Sequence, residues 1–106
     1  MGNSSLSFSI YLWIAYVYCQ EKRLPEALEA AEEAWKLCSP DDLVNQAQDS
    51  FLLGTILFSA NRDTEASKYM EISLTNNLEL GNRLDSARTL EYMGYAYLRR
   101  GDYLNA

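Results

Sequence analysis

A chain of 106 residues with a hydrophobic share of 48% has the size and make-up of one globular domain with a modest core, and this excludes disorder over most of its length. A net charge of −6 excludes generic nucleic-acid binding, which needs clustered Lys and Arg against phosphate. The lack of any histidine leaves a cysteine or serine nucleophile without its usual base, so an enzyme is not expected.

The residues from Leu6 to Cys19 are nearly all apolar or aromatic, and the pattern predicts a first helix over 6–20. Its apolar run falls short of the roughly 20 residues that a membrane span takes. No Lys or Arg precedes the run, as a signal peptide requires, and Leu6 stands where a myristoylation signal has Ser or Thr. The expectation is a buried first helix behind a short polar lead-in, in a soluble, cytoplasmic protein. Residues 21–24 form a turn, and Pro25 suits the first position of a second helix, where its missing N–H leaves nothing unpaired. That helix, over 26–37, repeats alanine at 27, 30, 31 and 34, a thin face for close packing.

Ser39-Pro40-Asp41-Asp42 breaks the pattern, and either aspartate can cap a third helix over 43–60. Asn61 to Thr64 turns the chain, with Asp63 or Thr64 as N-cap of a fourth helix that runs to about Leu80, where Gly81 supplies a left-handed stop. A fifth helix covers 82–100, and Gly101-Asp102 opens a sixth. β-Branched residues never alternate over a useful length, so the fold class is all-α. Cys19 and Cys38 have no second ligand type nearby at metal spacing and read as free thiols in a reducing compartment, a disulfide being the lesser alternative. Glu32-Glu33 and Asp41-Asp42 are sequence neighbours that diverge on a helix or serve its dipole at a cap, a solvated face and not a catalytic pair, and no metal and no cofactor are expected.

Three times a small residue is followed twelve positions later by alanine: Ala15 and Ala27, Gly54 and Ala66, Gly94 and Ala106. The small residues lie 39 and 40 apart, so a unit of about that length recurs. The first helix of each unit also carries large residues beside the small one at helical spacing: Tyr11, Ile14 and Tyr18, then Leu53 and Leu57, then Leu90, Met93 and Tyr97. The small residue marks where the second helix of the unit crosses.

This pattern resembles the tetratricopeptide repeat, with units starting at Phe8, Ala47 and Ala87: repeat one over 8–46, repeat two over 47–86 and a partial repeat three over 87–106. Ser50 replaces the consensus aromatic, Ala31 and Met70 fill the second-helix aromatic site, and Ser39 or Leu78 stands where proline is usual. Gly81-Asn82-Arg83 looks like the linker of the long-unit subclass found in cell-polarity adaptors, kinesin light chains and sensor arrays of signalling ATPases. The resemblance implies a right-handed superhelical array of antiparallel helix pairs, about two and a half repeats long.

It also implies that first helices line a concave face, which here carries Leu12, Trp13, Tyr16 and Cys19, then Phe51, Leu52, Thr55 and Phe58, then Arg88, Glu91, Tyr92, Tyr95 and Arg99. Such a face suits a protein or peptide partner, an amphipathic helix or extended apolar segment held by aromatic anchors. The alternative is that Trp13, Phe51 and Phe58 pack between units. The lysine, asparagine and arginine clamp by which one subclass grips chaperone tails is absent, since the matching positions are Leu12, Tyr16, Leu52, Arg88 and Tyr92. Leu90, Met93, Gly94 and Tyr97 lack most of a covering second helix, which marks them as a self-association surface or a joint to further repeats. The function expected is a protein-interaction or assembly module, and the alternative a regulatory sensor segment of a larger signalling ATPase or transcription regulator.

Overall fold

The structure, a computed structural model, describes residues 2–100, with side chains for 6–99. The described residues form five helices, α1 (Gly2–Gln20), α2 (Leu24–Lys36), α3 (Leu43–Ser59), α4 (Asp63–Leu80) and α5 (Arg83–Arg100). They are all-α, as composition and periodicity predict. The sixth helix expected from Gly101 onward, Ala106 included, lies outside the described residues.

Short connections fold successive helices back on one another. α1 ends with Lys22 at φ 62°, α3 with Asn61 at φ 64° and α4 with Gly81 at φ 76°. In each case the next amide reaches back over the last turn: Arg23 to the Tyr18 carbonyl at 2.9 Å, Arg62 to Leu57 at 2.8 Å and Asn82 to Asn77 at 2.9 Å. These bonds satisfy carbonyls that a helix end otherwise leaves unpaired and fix the angle at which the chain leaves. Only Gly81 is evident from residue type. Lys22 and Asn61 each follow their unit's small residue, Ala15 or Gly54, by the same seven positions, so the repeat extends to the backbone turn.

Helix starts depart from expectation in two places. Asp42 caps α3, its carboxylate accepting from the Asn45 amide at 3.1 Å. At α4 the cap is Arg62 rather than Asp63 or Thr64, and the Arg62 side chain makes no capping hydrogen bond. Arg62 instead pairs with Glu65 at 2.8 Å, while Asp63 and Glu65 in the first turn face the positive end of the helix dipole. Pro25 occupies the second position of α2, because Leu24 already belongs to the helix.

Packing follows the small residues. Ala27, Ala30, Ala31 and Ala34 are buried on α2, and the first three share a cluster with Ala15, Leu52, Leu53 and Ile56. A second cluster joins Leu57 and Phe58 of α3 to Ala66 and Met70 of α4 and Ala96 of α5. Gly54 takes part through Met70, whose side chain lies against it. α3 is central and buried on most sides. The molecule measures 48 × 32 × 19 Å, and the shortest dimension is about two packed helices thick.

The buried first helix is not found. Phe8 and Ala15 are buried, but Leu6, Ile10, Trp13, Ile14, Tyr16 and Val17 are exposed. An apolar run records composition on all sides of a helix, whereas burial depends on how many neighbours reach it, and α1 packs chiefly on α2 with a lesser contact to α3.

Candidate peptide-binding groove

α1, α3 and α5 contribute side chains to one groove of about 800 Å³. Leu12, Tyr16 and Cys19 come from α1, Phe51, Leu52 and Thr55 from α3, and Arg88, Glu91, Tyr92 and Tyr95 from α5. Steps of three and four link these residues on each helix, and the adjacent pairs Phe51-Leu52 and Glu91-Tyr92 widen the stripe on α3 and α5. Tyr92 ties the wall together: its ring meets Phe51 at 5.8 Å, Phe58 at 6.0 Å and Tyr95 at 6.4 Å. Burial pushes its phenol up, opposed by a hydrogen bond with Thr55. The Thr55 hydroxyl also donates to the Phe51 carbonyl at 2.9 Å, which holds its methyl group in a fixed direction.

Three residues expected on this face lie elsewhere. Trp13 is exposed and does not line the groove. Phe58 is 2% exposed and packs in the core, because the fourth residue past Gly54 has turned toward α4 and α5. Arg99 donates from Nη2 to the Phe58 carbonyl at 2.9 Å, a cation at the end of α3 where the helix dipole is negative, and it too lies outside the lining. Phe51 both lines the groove and packs against the second cluster, so ligand wall and inter-helix core are one surface there.

The floor includes polar groups that the repeat pattern did not bring forward. Ser73 and Asn77 of α4 and Asn82 after it reach the groove, joined by Gln20, Gln48 and Asp85. Ser73 donates to the Ala47 carbonyl at 3.2 Å, Asn77 to Ser73 at 3.4 Å and Asn82 to Asn77 at 3.4 Å. The Ser50 hydroxyl shares the Ala47 carbonyl at 3.2 Å, so serine at the consensus aromatic position adds to a polar seam between α3 and α4. Ser73 and Asn77 continue the stripe begun by Ala66 and Met70 at steps of three and four, and extending that stripe finds them. The charged lining is Asp85, Arg88 and Glu91, with Arg88 paired to Asp85 at 3.2 Å.

On α5 the expected self-association stripe divides. Met93 packs against the second cluster, whereas Leu90, Gly94 and Tyr97 are exposed, and a β-carbon at Gly94 would meet nothing within 4 Å. The Ala106 expected beside Gly94 lies outside the described residues. Cys19 and Cys38 are free and half-buried; burial raises both thiols, Cys38 to about 12 with Asp49 and Asp42 adding to it. Among the described residues no three His, Cys, Asp or Glu side chains gather where they could hold a metal ion, and no helix is long and apolar enough to cross a membrane.

No protein-family model, curated protein or solved structure matches this chain.

Proposed function

We propose that this chain is a tetratricopeptide-like array, a right-handed superhelix of about two and a half long units, that binds a peptide or helix of a cytoplasmic partner protein in the groove between α1, α3 and α5. The observation that carries this reading is the convergence of three spaced helices on one concave space, with rings from α1, α3 and α5 around it. Aromatic side chains held by one another give large contact area with little ordering left to do on binding. Asp85, Arg88 and Glu91 together leave the lining one negative charge, and the chain as a whole carries −6. A partner with an apolar face and flanking Lys or Arg complements both.

The test is selection of binding segments from a random peptide library, followed by affinity measurement against Tyr16→Glu and Tyr95→Glu. Both tyrosines are exposed, so neither change disturbs the core. Selected peptides should share an apolar segment with basic flanks and lose tenfold or more in affinity to each variant, on the order of a hot-spot contact. Peptides that bind the variants as well as the parent chain would place the site elsewhere.

A second reading rests on the size of the same space. About 800 Å³ is within the range of sites that enclose small molecules, roughly 300–1,000 Å³, which suits a ligand-sensing segment of a larger signalling ATPase or transcription regulator. Small-molecule binding that Tyr16→Glu abolishes, in the absence of any selected peptide, favours it.

A further inference from the structure

We propose that the outer face of α1 is a two-fold interface with a second copy of this chain. Leu6, Ile10, Trp13 and Val17 recur at steps of four, three and four, one stripe along the helix, and they are 62, 49, 71 and 40% exposed. At these fractional exposures, and with Ile14 beside them, the stripe presents an apolar patch on the order of 500 Å², Trp13 being the largest contributor. That reaches the upper part of the range for the largest patch on a monomer. Doubled by a two-fold axis it gives about 1,000 Å², the lower bound for a specific interface.

Charge selects a second copy as the occupant. Residues 1–20 contain no Asp, Glu, Lys or Arg, while the chain carries −6, all of it from beyond this helix. Two copies therefore meet across a neutral face without opposing like charges. The exposed stripe of α5 is weaker on both counts: Met93 is turned into the core, and Arg83, Arg88, Glu91 and Arg99 lie along the same helix. A lipid surface fits less well, since α1 offers no cation for headgroups.

The stripe is also self-complementary. With the two helices antiparallel about an axis midway along it, Leu6 of one copy faces Val17 of the other, and Ile10 faces Trp13. Ser9, exposed next to Ile10, is small enough to leave room for the incoming indole. Trp13 thus becomes the central aromatic anchor of the interface instead of a groove residue. Leu12 and Tyr16 line the groove from the flank of the same helix, so the groove stays open in the pair, and this proposal and the peptide-binding one fail or stand separately.

Sedimentation equilibrium across a wide dilution series tests it. The chain should show a two-chain mass at high concentration that falls to one on dilution, with a blue shift of tryptophan emission in the associated form. Ile10→Glu and Trp13→Ser should each give a one-chain mass throughout with unchanged helical circular dichroism, and Leu90→Glu on α5 should leave the two-chain mass intact. The register is read separately, in a background with Cys19→Ser and Cys38→Ser. A chain bearing Leu6→Cys mixed with one bearing Val17→Cys should oxidise to the mixed disulfide at least tenfold faster than either forms its own. A one-chain mass at every concentration overturns the proposal. So does a two-chain mass that survives Ile10→Glu, or one that is lost with Leu90→Glu. Co-sedimentation with neutral phosphatidylcholine vesicles, abolished by Ile10→Glu, assigns the face to lipid instead.

Discussion

Met70 occupies the space beside Gly54: a β-carbon added at Gly54 would meet Met70 Cγ at 2.8 Å and its Cε at 2.9 Å, with Sδ at 3.1 Å. Met70 is fully buried and has no solvent to swing into. Gly54→Ala gains about 1 kcal/mol of helix propensity, and overpacking opposes it by about 1–3 kcal/mol. The expected outcome in chemical denaturation is a net loss of about 1 kcal/mol for Gly54→Ala and about 3 for Gly54→Val. In a Met70→Ala background the sign reverses and Gly54→Ala stabilises, a coupling that a double-mutant cycle measures. Stabilisation by Gly54→Ala in the parent chain would show that the two helices give way here.

Lys22 and Asn61 take the same left-handed conformation at equivalent points of two units, at φ 62° and 64°. An L-residue with a β-carbon pays for that conformation by about 1 kcal/mol, asparagine less than lysine. Lys22→Gly should therefore stabilise the fold by about 0.5–1 kcal/mol, and Asn61→Gly by less than half of that. The order of the two melting temperatures is the measurement, and Lys22→Ala, which keeps the β-carbon, should leave stability nearly unchanged.

Particular residues show what could be read in advance and what could not. The four alanines of α2 and the Gly81 stop were legible because a small side chain or a missing β-carbon has few other uses at helical spacing. Most of the groove stripe was legible for a related reason: one residue fixed on a helix fixes its neighbours three and four away. The exposure of α1 was not, since an apolar helix looks the same in sequence whether one or three neighbours cover it. Nor was the α4 cap, because Arg62 acts there through backbone geometry that its side chain does not announce. Ser73 and Asn77 are not evident in the sequence, because polar residues inside a helix read as surface until the groups they bond are known.

The two thiols should separate by reactivity. Burial raises both, and Cys38, with its Sγ toward the Ala34 carbonyl at 3.7 Å, reaches about 12 against an ordinary 9.0. Thiolate supply near pH 8 falls by about a thousandfold, partly offset by the higher nucleophilicity of the thiolate that forms, so labelling should slow by about thirtyfold or more relative to unfolded chain. Cys19 lines the groove and should label faster than Cys38. A peptide bound in the groove should then protect Cys19 and leave Cys38 unchanged, and protection of both or neither would separate binding from the groove. Peptide mapping by mass spectrometry after timed alkylation reads the two rates independently.

Asp49 is fully buried on α3, and neither carboxylate oxygen has a hydrogen-bond partner among the described residues. Burial pushes it from an ordinary 3.8 up to about 8. Burial raises Cys38 and Tyr69 as well, and the Asp49 charge adds to both shifts. The unfolded chain releases this proton near pH 4 while the folded chain holds it to about 8, so the folded state binds more protons across that window. Stability should therefore fall as pH rises from about 4 to about 8 and level off above. At about 1.4 kcal/mol per pH unit the ceiling is near 6 kcal/mol, and relaxation around the charge reduces the expected loss to about 2 kcal/mol. The chain has no histidine, so no other side chain of ordinary pKa titrates between pH 5 and 8 to obscure the slope. Asp49→Asn keeps the shape and removes the charge: it should flatten the profile and exceed the parent chain in stability at pH 8, with little difference near pH 4. Urea melts of both proteins at one-unit intervals give the slopes directly, and a parent profile flat from pH 5 to 8 would mean that the carboxylate finds solvent or a cation in the folded state.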